Sequence, residues 1–148
     1  MKLRQGDPWM PAPDYSRTLS GIGFNLLVRD IDRSLGFLRD VLGLEVTYSD
    51  PDFAVVRGMG GEFMLHADHT YERHPLLPRA GDGQRGGGVE LRVYGTDPDV
   101  AVSVARRLGF EVLADVVDKG HGLREAYIVD HDGYTWVPGR MVEQKPAP

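Results

Sequence analysis

The chain has 148 residues, 41% hydrophobic and 26% charged, a composition that suits one packed domain or two small halves sharing a core. Seventeen Lys and Arg against 22 Asp and Glu leave a net charge of −5, without the clustered cations that binding a nucleic-acid backbone requires. The absence of cysteine excludes disulfides, zinc-thiolate sites, iron–sulfur clusters and a thiol nucleophile, and the apolar runs are too short to predict a membrane span.

Residues 1–18 hold Gly6, Pro8, Pro11 and Pro13 without apolar periodicity. They predict an extended arm that Trp9 and Tyr15 anchor on the body or on a second subunit. No secretion signal is read there, and a cytoplasmic protein is expected. Ile22–Val28 reads as an apolar strand. Asp30 or Asp32 then caps a helix whose apolar stripe is Ile31, Leu35, Leu38 and Leu42, stopped by Gly43. Three strands follow, at Glu45–Ser49, Phe53–Arg57 and Glu62–Ala67, separated by SDPD and GMGG turns.

Tyr71–Gly87, rich in Gly, Pro and Arg, reads as a linker. Beyond it the pattern repeats. Leu26, Val28 and Asp32 recur 65 positions later as Leu91, Val93 and Asp97, and Leu42, Gly43, Glu45 and Val46 recur 66 later as Leu108, Gly109, Glu111 and Val112. Asp97 caps the second helix, Pro98 opens it, and Val100, Val104 and Leu108 form its stripe. Strands follow at Glu111–Val117, Arg124–Val129 and Tyr134–Val137. The predicted fold is α+β. It comprises an arm (1–18), a βαβββ module (19–70), the linker (71–87), a second βαβββ module (88–141) and a tail (142–148). Neither module has enough core to stand alone, so the two must pack together and leave a cleft.

Strand alternation nominates the lining of that cleft. Asn25, Leu27, Met64, His66, Glu90, Arg92, Thr135 and Val137 share one parity, and Phe53 is the aromatic favoured to stack on a flat ligand. Glu90 and Arg92 pair with each other or across the sheet, unless Glu90 receives a ligand cation or proton. His66 can donate a hydrogen bond to a ligand or act as a base, whereas His69 and His74 read as solvated or dimer-edge residues. Trp136, of opposite parity to Val137, belongs under the helices. GDGQRG at Gly81 lacks the following helix that a phosphate site needs, and DHDG at Asp130 reads as a hairpin turn.

The strings VRDIDRSLGFLRDVLGLEV, FAVVRGMGGEFMLH and REAYIVDHDGYTWV, in this order, resemble the vicinal-oxygen-chelate superfamily of glyoxalases, bleomycin and fosfomycin resistance proteins and extradiol dioxygenases. The resemblance implies paired βαβββ modules in a homodimer. It also implies that, in the metal-using members, four ligands come from positions matching Gly23, Met64, Gly88 and Val137. None of these side chains is a His or carboxylate donor. The expectation is therefore a protein without metal or other cofactor, similar to the bleomycin-resistance branch. It would hold a small aromatic or cationic natural product through Asn25, Phe53, Met64, His66, Glu90, Arg92, Thr135 and Val137, and touch neither nucleic acid nor membrane. One alternative is a metal-independent isomerase or cyclase using His66 and Glu90 as acid and base. Another is a divalent-metal lyase or dioxygenase with displaced ligands.

Overall fold

The computed structural model describes residues 1–81 and 83–143. The elements run α1 (Ala12–Thr18), β1 (Asn25–Val28), α2 (Ile31–Asp40), β2 (Glu45–Ser49), β3 (Phe53–Gly58) and β4 (Gly61–Ala67). After two short 3₁₀ turns come β5 (Glu90–Tyr94), α3 (Pro98–Leu108), β6 (Glu111–Asp118), β7 (Leu123–Val129) and β8 (Thr135–Met141). They build two mixed four-stranded sheets of identical topology, ordered β1-β4-β3-β2 and β5-β8-β7-β6. In each, the first strand pairs parallel to the last and the other pairs are antiparallel. This is the paired βαβββ architecture read from the repeat.

Local chemistry sets both helices. The Asp30 carboxylate accepts the Arg33 N–H at 2.8 Å, so Asp30 rather than Asp32 is the cap of α2. Asp97 caps α3 by accepting the Asp99 N–H at 2.9 Å, Pro98 takes the first helical position, and Gly109 closes the helix at φ 82°. The stripe Ile31, Leu35, Leu38 and Leu42 is buried.

One apolar core runs through both modules. Phe63 and Phe37 of the first module meet Trp136 of the second, with ring centroids 5.6 and 6.5 Å apart. Phe37 also meets Phe110 edge-on at 4.8 Å. Trp136 therefore lies under the helices, as its parity requires, and its indole N–H donates to Asp130 at 2.8 Å. The same Asp130 carboxylate accepts the N–H groups of Asp132 and Tyr134, which makes DHDG a turn. A Cβ on Gly133, at φ 84°, would lie 1.8 Å from the Gly83 carbonyl oxygen, so only glycine lets the linker press on this turn.

Arg85, from the linker, staples the modules. Its side chain is 5% exposed, donates to Asp68 at 2.8 and 2.7 Å and to the Leu27 carbonyl at 3.0 Å, and lies 3.7 Å from buried Asp132. The Tyr134 hydroxyl donates to the same carbonyl at 2.9 Å. GDGQRG is thus a joint between modules, although its Asp82 lies outside the described residues.

Four expectations need correction. In α3 the face that packs is Ala101, Val102 and Ala105 rather than the predicted stripe, since Val100 and Leu108 are exposed. The arm is not wholly extended, because Pro11 and Pro13 fall at the start of α1, where a missing N–H costs no helical bond. Strand β1 begins at Asn25 rather than Ile22, since Gly21 takes a positive φ and Ile22 is fully exposed. Strand β8 runs on to Met141, through Pro138 and Gly139, instead of ending at Val137. Of the predicted tail, residues 144–148 lie outside the described residues.

Candidate functional site

Alternation divides β4. Phe63, Leu65 and Ala67 are buried in the core beneath α2 and α3, while Met64 and His66 emerge on the opposite face of the first sheet. The register places Asn25 beside Met64 on β1 and Phe53 beside His66 on β3. Asn25, Phe53, Met64 and His66 thus come together as their parity predicts.

What the alternation pattern missed is the cover. Residues 1–18 fold back across this face. Both oxygens of Asp52, a buried side chain in the SDPD turn, accept backbone N–H groups of the arm, from Leu3 at 2.7 Å and Arg4 at 3.0 Å. His69 adds a third contact to Asp52 at 2.8 Å. Burial by itself raises the Asp52 carboxyl, but the donors Leu3 N–H, His69 and Arg4 N–H outweigh it and hold the group below the ordinary carboxylate range. Neighbouring Asp50 pairs with Arg4 at 3.2 Å and accepts the Tyr48 hydroxyl at 2.6 Å. Trp9 stacks on Tyr48 with centroids 5.2 Å apart and planes 11° from parallel. Tyr15 meets Phe53 edge-on at 5.8 Å and donates to Glu62 at 3.1 Å. Burial, with Glu62 alongside, pushes the Tyr15 hydroxyl up to about 12. Trp9 and Tyr15 do anchor the arm, and both anchor it on the body of their own chain.

Between arm and sheet lies a cavity of about 380 Å³, lined chiefly by Trp9, Tyr15, Phe53, Met64, His66 and Tyr71. Its size falls in the range of small-molecule sites. It shares Tyr15, Leu19 and Met64 with a wider, open cleft of about 1160 Å³ at the β3–β4 hairpin end. That cleft is bordered largely by glycine backbone and by Arg57 and Glu62, which are paired with each other at 2.6 Å.

His66 is the polar group of the cavity with chemistry to offer. Its Nδ1 lies 2.6 Å from Asn25 Oδ1. An amide oxygen can only accept, so the ring nitrogen is the donor in this contact. Nδ1 must then carry the proton, leaving Nε2 with a lone pair and without a hydrogen-bond partner among the described residues. Burial pushes the imidazole below its ordinary value, and His74 acts in the same direction, so the neutral form is favoured. His69 and His74 are not free in solvent: one holds Asp52 and the other packs on Tyr71 at 4.5 Å.

The remaining predicted residues form a second group. Glu90 and Thr135 line a separate cavity of about 430 Å³ on the second sheet, together with Tyr127. Glu90 accepts from Arg92 at 2.7 Å and from Tyr127 at 2.9 Å, and these bonds hold its carboxyl low. Arg92 also pairs with buried Glu125, so the ion-pair reading of Glu90 and Arg92 is the one realised. Val137 is buried opposite Arg92 in the register. His66 and Glu90 line different cavities.

The residues at the four ligand positions do not fit a metal, since two are glycines, one is Val137 and one is Met64. Among the described residues, no three His, Asp or Glu side chains are grouped so as to hold an ion.

The sequence profile of the Glyoxalase/Bleomycin resistance protein/Dioxygenase superfamily matches residues 22–137. The chain belongs to this superfamily. No curated protein sequence matches the chain. Among solved structures, TioX from Micromonospora sp. ML1 is 22% identical, covering 85% of this chain and 99% of its own, with a TM-score of 0.59. A protein of unknown function from Agrobacterium tumefaciens is 25% identical over 84% of this chain and 98% of its own, with a TM-score of 0.61. The fosfomycin resistance protein FosX from Listeria monocytogenes is 16% identical over 84% of this chain and 95% of its own, with a TM-score of 0.62. At these identities the likeness to TioX and FosX is one of fold. Among the described residues, no helix of this superfamily member is long and apolar enough to cross a membrane.

Proposed function

We propose that this superfamily member is a metal-free binding protein that sequesters a small natural product, of the bleomycin-resistance type, in the cytoplasm. The observation that carries the reading is the aromatic cavity of about 380 Å³ walled by the chain's own arm, beside ligand positions that hold no metal donor. The lining of Trp9, Tyr15, Phe53 and Tyr71 suits stacking on a flat group. The isomerase or cyclase alternative is weaker, because Glu90 lines another cavity and is tied to Arg92 and Tyr127. A homodimer accompanies the proposal. The second module leaves Tyr94, Leu113, Val117 and Met141 exposed, apolar surface that a partner copy would cover.

A thermal-shift screen of flat aromatic natural products tests the reading, followed by recovery of each hit. The expected result is one equivalent of ligand per chain, returned unchanged, with the shift weakened by Phe53→Ala and preserved in Glu90→Gln. A ligand recovered as product would replace sequestration by catalysis. Stoichiometric metal in untreated protein, or melting that drops on chelation, would remove the metal-free reading. Light scattering checks the dimer, which a single species of 16.4 kDa would contradict.

A further inference from the structure

The charge and hydrogen-bonding state of the cavity wall restricts what it can hold. Two carboxylates line it, Asp50 and Asp52, and neither is open to a ligand cation. Asp52 accepts Leu3 N–H, Arg4 N–H and His69, and Asp50 accepts Arg4, the Tyr48 hydroxyl and the N–H groups of Asp52 and Phe53. Lys2 and Arg4 add positive charge at the same wall. A cation entering here would lose its hydration and find no unpaired anion. At His66 an anion is refused as well, because Nε2 presents a lone pair and has no proton to give. That lone pair needs a donor. The apolar remainder of the wall offers ring faces and the Met64 thioether.

We infer that the cavity under the arm selects a neutral, planar aromatic molecule bearing one hydrogen-bond donor, a phenol-type hydroxyl or ring N–H, directed at His66 Nε2. This deepens, and rests on, the reading of the protein as a small-molecule binder. It narrows the aromatic-or-cationic class expected from the sequence to the uncharged half. Asn25 is the positioning residue: by accepting from Nδ1 it fixes which imidazole nitrogen faces the ligand.

The test is calorimetric titration of the full chain at neutral pH with four probes of similar size. These are 2-naphthol (neutral donor), 2-methoxynaphthalene (neutral, no donor), N-methylquinolinium (cation) and 2-naphthoate (anion). The expected result is 2-naphthol binding about tenfold more tightly than 2-methoxynaphthalene, the discrimination worth one hydrogen bond, with the two ions weaker still. His66→Phe, which keeps a ring and removes the acceptor, should bring the two neutral probes to equal affinity. Equal affinities in the unaltered protein would overturn the role of His66. The cation or anion binding tightest would overturn the ligand class. Either outcome leaves the binding reading standing. No binding by any probe would take down both.

Discussion

The two modules share strand order and helix caps of aspartate, yet the sheet faces turned away from α2 and α3 have been put to different uses. The first carries Phe53, Met64 and His66 beneath an arm that closes over them. The second carries Glu90, Arg92, Glu125 and Tyr127, which satisfy one another and bear no cover from the arm. Duplication therefore preserved what the core requires and left the opposite face unconstrained. A strand contributes alternate residues to two surfaces, and only the set packed against a helix is held by close packing. Function is to be sought on the other set, and within it on the half whose polar groups are not already paired.

The contrast can be attacked first at the joint between the modules. Arg85→Ala removes the guanidinium shared by Asp68, Leu27 and the neighbourhood of buried Asp132. It should cost about 3–5 kcal/mol in chemical denaturation, because the Asp68 carboxylate and the Leu27 carbonyl lose their donor at a buried joint, while Asp132 keeps Arg29 at 3.5 Å. A loss below about 1 kcal/mol would show that the shared aromatic core alone joins the halves.

Next comes the cover. Asp52→Ala leaves the Leu3 and Arg4 N–H groups and His69 without their acceptor. It should cost about 1–3 kcal/mol, free the arm to proteolysis and weaken binding in the cavity, while leaving the second module's amide exchange unchanged. Acid should mimic it. The folded Asp52 carboxyl lies below its ordinary value of 3.8, so its contribution is full above about pH 4 and is lost as pH falls through the lowered folded value. Protease sensitivity of the arm, followed from pH 7 downward, should rise only in that acid range.

The smallest effect is expected on the paired face. Glu90→Gln, at a half-exposed ion pair, should change stability by less than about 1 kcal/mol and leave ligand affinity in the first module unaltered. A large loss of affinity would mean that the two faces form one site after all, most simply across a dimer.

Much of this was legible before any coordinates. The 65- and 66-residue recurrences predicted two equivalent modules. Asp97, Pro98 and Gly109 marked a helix, and β-alternation put His66 and Met64 opposite Leu65. The arm was legible only in part. Trp9 and Tyr15 stood out as anchors, and Trp9, Met10 and Tyr15 together are rather apolar for a free tail. Nothing in the sequence, however, ties Leu3 and Arg4 to Asp52. That bond runs from backbone N–H groups, which every non-proline residue possesses, across about 50 positions, so it leaves no residue-type signature. Likewise, the split between His66 and Glu90 depends on how the modules dock, a rigid-body arrangement that local periodicity does not encode.

The sequence by itself determined the duplicated α+β scaffold, the caps of its helices and which side chains share a face, because these follow from short-range periodicity and turn chemistry. Only the tertiary structure decided that the arm roofs the first module, that Arg92 consumes Glu90, and that His66 offers a lone pair inside an aromatic chamber. Those outcomes rest on contacts between residues far apart in the chain, where long-range packing and charge pairing, rather than local propensity, choose the partner.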